Sequence, residues 1–221
     1  ASGNVAVGVD ALETNTTGTP NTAVGTAALK DNTTGGQNTA MGYEALANNT
    51  TAASNTSIGY ASMLANTTGA SNTAVGRQAL TSNTTAANNT AVGMSALILN
   101  TTGAGNTATG SGALYSSATG SDNVAAGRNS LYTNTTGDNN TALGVNSLGA
   151  NTTGYENVAV GQGALDANTT AFRNIAIGVN SLGANTTGTY NIGVGHQSMM
   201  SCTTGHSNIT LGYRAAGNLT T

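Results

Sequence analysis

The sequence has no tryptophan, one proline, one cysteine and one phenylalanine, and only 6% of its 221 residues are charged. Each scarcity removes a class. A lone Cys202 has no intrachain partner, so the chain is not a disulfide framework. With one proline, and glycine not recurring at every third residue, it is not collagen-like. Charge is too sparse for a solvated acidic or basic tail. A formal net charge of −3 provides no cationic footprint for nucleic acid. No apolar run approaches the roughly 20 residues of a membrane span, so no membrane insertion is expected in this segment. No signal-peptide pattern stands at the N-terminus, and any secretion signal or anchor is expected outside this chain.

Self-similarity dominates what is present. Asparagine recurs every seventeen residues from Asn4 and Asn21 to Asn191 and Asn208, thirteen times and without insertion or deletion. A glycine follows four residues after each, from Gly8 and Gly25 to Gly212. The consensus is N-T/V/I-A-V/I-G-x-x-A/S-L-x-x-N-T-T-G/A-x-x, and a typical copy is NTAVGTAALKDNTTGGQ. A helical repeat needs roughly 33 residues per unit, and Gly, Thr, Asn and Val are weak helix formers. A seventeen-residue unit of this composition suits one coil of a parallel β-solenoid. Coils stacked at about 4.8 Å would make a rod on the order of 60 Å long. The expected fold is all-β: a β-roll of thirteen coils, one continuous domain over residues 1–221 without separate caps.

Side-chain alternation assigns faces. The second and fourth positions are T/V/I and mostly V/I/L/M, as in Thr22 and Val24 or Ile175 and Ile177, and the ninth is Leu or Met in twelve copies. These columns are expected to form a thin core. The third position, Ala in ten copies, then faces outward as a flat column suited to lateral packing. All thirteen charged residues, all seven Tyr, Phe172, both His and Pro20 fall at the sixth, seventh, tenth, eleventh, sixteenth or seventeenth positions, which marks these as solvent-facing turns. The fifth-position glycine signals positive φ or a corner too tight for Cβ. Asparagines at the first and twelfth positions are placed to pair with the coils above and below, as stacked amides do in cross-β structures. Ser117-Ala118 and Cys202 interrupt that pattern, and Thr109 and Ala126 interrupt the apolar fourth column, so the middle of the rod is expected to be least stable.

The block N-T-A-V-G-x-x-A-L, with N-V-A-V-G at 157 and N-I-A-I-G at 174, resembles the head repeats of trimeric autotransporter adhesins. It is similar also to solenoid segments of bacteriophage tail fibres and related secreted fibre proteins. The likeness covers the whole chain, but its motif is a packing motif. The period here is longer, and the N-T-T-G segment is additional. The resemblance implies a left-handed roll, trimerisation, an extracellular location and a host-surface receptor.

Chemistry-bearing residues are few. His196 and His206 share one repeat without a recurring third ligand, so no metal site is expected. No Ser-His-Asp set has a recognisable context, and the eight Asp and Glu are scattered, so neither an enzyme nor a cofactor is expected. Ten N-T-T triplets meet the N-glycosylation sequon, but a glycan on every rung has no room at about 4.8 Å spacing, which favours a structural ladder. Three aromatic pairs lie one period apart: Tyr43 with Tyr60, Tyr115 with Tyr132, and Tyr155 with Phe172. They read either as surface ring stacks or as a platform for sugar rings or a host ligand. A regular array of Asn at the twelfth and Thr at the fourteenth position also raises ice binding. The expected partner is the chain itself, through lateral packing and head-to-tail stacking. The register for stacking rests on Thr221 closing at the fourteenth position and Ala1 resuming at the fifteenth.

Overall fold

In the computed structural model, which describes residues 2–220, each repeat is one lap of a parallel β-solenoid. Ala1 and Thr221, on which the head-to-tail register depends, lie outside those residues. Each lap contributes one short strand, from β1 (Val5–Val7), β2 (Asn21–Val24) and β3 (Asn38–Met41) through β4 (Thr56–Ile58), β5 (Thr73–Val75), β6 (Thr90–Val92), β7 (Thr107–Thr109) and β8 (Val124–Ala126). The series continues with β9 (Thr141–Leu143), β10 (Val158–Val160), β11 (Ile175–Ile177), β12 (Ile192–Val194) and β13 (Ile209–Leu211). All thirteen form one parallel sheet in sequence order. Equivalent repeat positions pair throughout, as Ala91 with Ala108 and Val92 with Thr109. The seventeen-residue period is therefore the register.

The rest of each lap is also tied to its neighbour. Leu29 N–H donates to the Ala45 carbonyl at 3.1 Å, Asp31 to Ala47 at 2.8 Å and Thr33 to Thr50 at 2.9 Å. This wall is not a second regular sheet, because its seventh and ninth residues have left-handed φ, as at Ser95 (57°) and Leu97 (52°). The seventeenth residue does likewise, for example Asn88 at 62°. The sequence records this requirement. In a chain rich in Thr, none of these three columns holds a β-branched residue, which disfavours positive φ. The core ninth position accordingly takes Leu or Met and never Val or Ile. The fifth-position glycine is required twice over. Gly110 has φ 128°, and a Cβ there would come within 2.7 Å of the Gly127 carbonyl oxygen in the next coil.

The interior corrects the sequence-based assignment of the strand faces. Third-position alanines from Ala23 onward are fully buried, among them Ala91, Ala108 and Ala125. Second and fourth positions face out, with Met41 at 43%, Val92 at 36% and Ile177 at 40% exposure. The reason is the width of the lap. The interior already holds the ninth-position Leu, an eighth-position Ala or Ser, and two buried asparagines. The strand must approach this filling closely, and only a methyl fits between. Where the third position carries a hydroxyl it bonds across the gap: Ser57 Oγ donates to the Ser62 carbonyl at 2.8 Å, and Ser198 and Thr210 hydroxyls meet at 2.6 Å. β-Branched residues at the second and fourth positions support the extended backbone instead of filling the core. The weakness expected from Thr109 and Ala126 therefore loses its basis, because that column is not core.

The two asparagine ladders are as expected, and both run inside. First-position Oδ1 atoms accept the backbone N–H of the next asparagine, as Asn89 N–H to Asn72 Oδ1 at 2.9 Å and Asn106 N–H to Asn89 Oδ1 at 2.9 Å. Their Nδ2 groups donate to the fifteenth-position carbonyl of the same lap, as Asn89 to Gly103 at 2.9 Å. Twelfth-position asparagines donate to one another, Asn83 to Asn66 at 2.7 Å and Asn100 to Asn83 at 3.1 Å. Beside them thirteenth-position Thr hydroxyls donate along the axis, as Thr67 to the Thr84 carbonyl at 3.0 Å. The N-T-T asparagines from Asn32 onward are fully buried in the folded coil, Asn32 and Asn151 included.

Candidate functional site

The charged residues sit on the turns as their columns require, and none is buried. Lys30 bridges Asp10 at 3.5 Å and Glu13 at 3.4 Å. Arg173 donates to Glu156 at 2.6 Å and to the Tyr190 hydroxyl at 2.9 Å. Those bonds, the one to Glu156 first, hold its guanidinium even further above its ordinary range.

The three aromatic pairs stack on adjacent coils. Ring centroids lie 5.4 Å apart for Tyr43 and Tyr60, 4.9 Å for Tyr115 and Tyr132, and 4.8 Å for Tyr155 and Phe172. Their surroundings differ. Arg77 caps the Tyr60 ring at 6.0 Å. Tyr190 meets Phe172 edge-on at 5.6 Å, and Arg173 lies over both. Rings stacked along the axis turn one face to each other and present edges to solvent, and Tyr43 and Tyr60 remain about half exposed.

Tyr132 is different. In its tenth-position column the next two residues are Gly149 and Asp166. One Tyr132 face stacks on Tyr115; the other opens on the gap above Gly149. A shallow, open depression of about 300 Å³ lies there, lined by Tyr132, Thr133, Gly149, Ala150, Asp166, Asn129 and Asn146. Asp166 leans into it, its Oδ1 2.6 Å from where a Gly149 Cβ would stand. Partial burial raises the Asp166 carboxyl above its usual pKa. No ion pair of Asp166 exists among the described residues. Sequence reasoning singled out Tyr115 and Tyr132 and missed Gly149, Asp166, Asn129 and Asn146. The signal was available in the aligned column, where Tyr-Tyr-Gly-Asp reads as a stack, a gap and a carboxylate.

The twelfth-position asparagines turn inward and the fourteenth-position threonines outward, for example Asn83 and Thr85, so they do not share one outward face as the ice-binding reading required. His196 stacks on Tyr213 at 5.5 Å, and His206 Nδ1 accepts the Thr189 N–H at 3.0 Å. Among the described residues no group of three or more His, Cys, Asp or Glu is placed to hold a metal ion. Among them, too, no helix is long and apolar enough to cross a membrane.

The strand face is a long uncharged feature of the outside, eight of its twenty-six residues being Thr. Second and fourth positions of thirteen strands make a ribbon without a charged residue, continued at the sixth position by Val9, Met94 and Val179. At about 4.8 Å per strand and about 10 Å across it covers on the order of 600 Å², the upper end for the largest patch on a monomer.

Comparison with known proteins finds no matching family model, no matching curated protein and no matching solved structure.

Proposed function

We propose that this chain is a non-enzymatic structural module of an extracellular or virion fibre, associating side by side with copies of itself through the outward strand face, while the variable turns carry adhesion. The observation that supports this reading is the uncharged ribbon of Thr, Val, Ile, Leu and Met on that face. An exposed uncharged strip of this length, eight of its twenty-six residues Thr and the rest apolar, is a surface suited to association, and its regular spacing lets one copy engage another over many coils. Two such ribbons together bury about 1,200 Å², the lower bound of standard specific interfaces. The alanine column, proposed from sequence as the lateral contact, is inside and has no part in it. The extracellular location follows from the resemblance to adhesin and tail-fibre repeats.

The test is sedimentation analysis of the purified chain across about 1–100 µM, with Ile177→Lys and Val92→Lys as face variants. The expected result is an oligomer that the Lys variants dissociate without loss of the β spectrum. A monomer throughout that range would sink the proposal.

A further inference from the structure

We propose that the notch between Tyr132 and Asp166 is a binding site for a single pyranose residue of a glycan. Four features carry the inference, and none depends on whether the rod assembles with copies of itself. The first is a free aromatic face: Tyr132 is stacked on Tyr115 at 4.9 Å on one side and opens over Gly149 on the other. The stack beneath fixes the ring orientation, so a ligand need not order it. The second is space. Gly149 leaves the level above Tyr132 without a side chain, and Asp166 reaches down into that level, so a ring lying on the tyrosine meets the carboxylate directly. The third is the rim. Asp166 as a carboxylate accepts hydrogen bonds only, while Asn129, whose Oδ1 turns toward Gly112, and Asn146 bring side-chain amides to the same edge. The fourth is that Asp166 has no cationic partner among the described residues, which leaves its carboxylate for hydroxyl donors.

This combination distinguishes a neutral polyol from an organic cation. A cation would use the aromatic face and the carboxylate, but it has no acceptor for the amide N–H₂ groups. A pyranose places its apolar C–H face on the ring and gives vicinal hydroxyls to carboxylate and amides alike. The other aromatic pairs lack this arrangement. Arg77 covers Tyr60, and Arg173 with Tyr190 crowds Phe172.

Gly149 makes the notch testable without threatening the fold. It is not a positive-φ glycine, and its column carries tyrosine in the two preceding coils. Gly149→Tyr should extend the Tyr115–Tyr132 stack by one ring and fill the space, displacing only the Asp166 side chain.

The probes are the methyl β-glycosides of glucose, galactose and N-acetylglucosamine, titrated to about 50 mM by saturation-transfer NMR, with n-butylammonium as the cationic comparison. At least one glycoside is expected to saturate with Kd on the order of 1–10 mM. Gly149→Tyr and Tyr132→Ala should each weaken it at least tenfold, and Tyr43→Ala should leave it unchanged. The proposal is overturned if no glycoside saturates, if Gly149→Tyr leaves binding intact, or if n-butylammonium binds more tightly than every glycoside.

Discussion

Replacing Ser117 with asparagine should stabilise this protein, although the site is fully buried and most substitutions there would do harm. Ser117 occupies the twelfth position of its lap, where ten other laps carry asparagine. The ladder therefore breaks on both sides of it. Asn100 Oδ1 and Ser117 Oγ are buried without hydrogen-bond partners. On the other side Asn134 Nδ2 keeps its bond to the Gly137 carbonyl at 2.9 Å but has no amide oxygen below it. An asparagine at 117 would donate to Asn100 Oδ1 and accept from Asn134 Nδ2, copying the 2.8 Å contact between Asn151 and Asn134.

Satisfying the orphaned Asn100 acceptor recovers about 1–3 kcal/mol and the new bond from Asn134 adds about 1 kcal/mol, while ordering the longer side chain takes back about 1 kcal/mol. The expected net gain is about 1–3 kcal/mol, roughly 2–10 °C in Tm for a chain of this length. Thermal and urea unfolding followed by circular dichroism would read it. Hydrogen exchange would show whether protection rises in the laps around 117, since a repeat array need not unfold in one step. Cys202→Asn provides an internal comparison. It would satisfy the orphaned Asn185 Oδ1, but its own oxygen would face Leu219, where the ladder does not continue. Its gain should be smaller. If Ser117→Asn lowers Tm, or if the two repairs are equal, the account of the ladder as a continuous chain of buried amide bonds is wrong.

Three other predictions address separate parts of the coil. Gly110→Ala should cost about 3–5 kcal/mol, because it combines a φ of 128° with a Cβ pressed on the Gly127 backbone. Gly212→Ala, where φ is 123° and nothing lies within 4 Å, should cost only the backbone part, about 1–3 kcal/mol, and equal losses would contradict the observed coil spacing. Ala108→Leu should destabilise by about 1–3 kcal/mol or more through overpacking, whereas Thr109→Leu, one residue away on the exposed face, should change stability by about 0.5 kcal/mol at most; the reverse order would restore the strand faces assigned from sequence. Asp166 is predicted to show a pH signature. Its folded-state pKa is raised by partial burial, so its ionised form opposes folding and stability is recovered as pH falls through that pKa. Asp166→Asn should then raise Tm at pH 7, with the difference closing toward about pH 3, where both states of the wild type are protonated. A gap that widens on acidification would point to a stabilising partner for the carboxylate.

Particular residues show how far the sequence could be read. The step from Asn72 to Asn89 to Asn106 specified stacking, parallel register and the amide ladders, because one side-chain type recurring at one interval can satisfy its hydrogen bonds only against itself. The charged and aromatic columns specified the turns, since an unpaired charge is not buried in so thin a structure. The left-handed φ values of the columns of Ser95, Leu97 and Asn88 went unread, although the absence of β-branched residues there is their mark in the sequence. The notch was half legible: Tyr132 attracted notice as one of a pair, but Asp166 is thirty-four residues away and becomes its neighbour only when two laps are stacked.

The sequence by itself determined the lap of seventeen residues, the axis of stacking and the polar outer turns, because periodicity and charge act locally and repeat thirteen times. Only the tertiary structure decided which strand face is core. Alternation says that Ala91 and Val92 point in opposite directions, and hydrophobicity alone sends the larger one inward. The width of a closed lap, already filled by Leu97, Ala96 and the buried amides of Asn89 and Asn100, leaves room for a methyl and no more. Packing volume overrides transfer free energy there, and the valines and isoleucines that would have been core become the outer face.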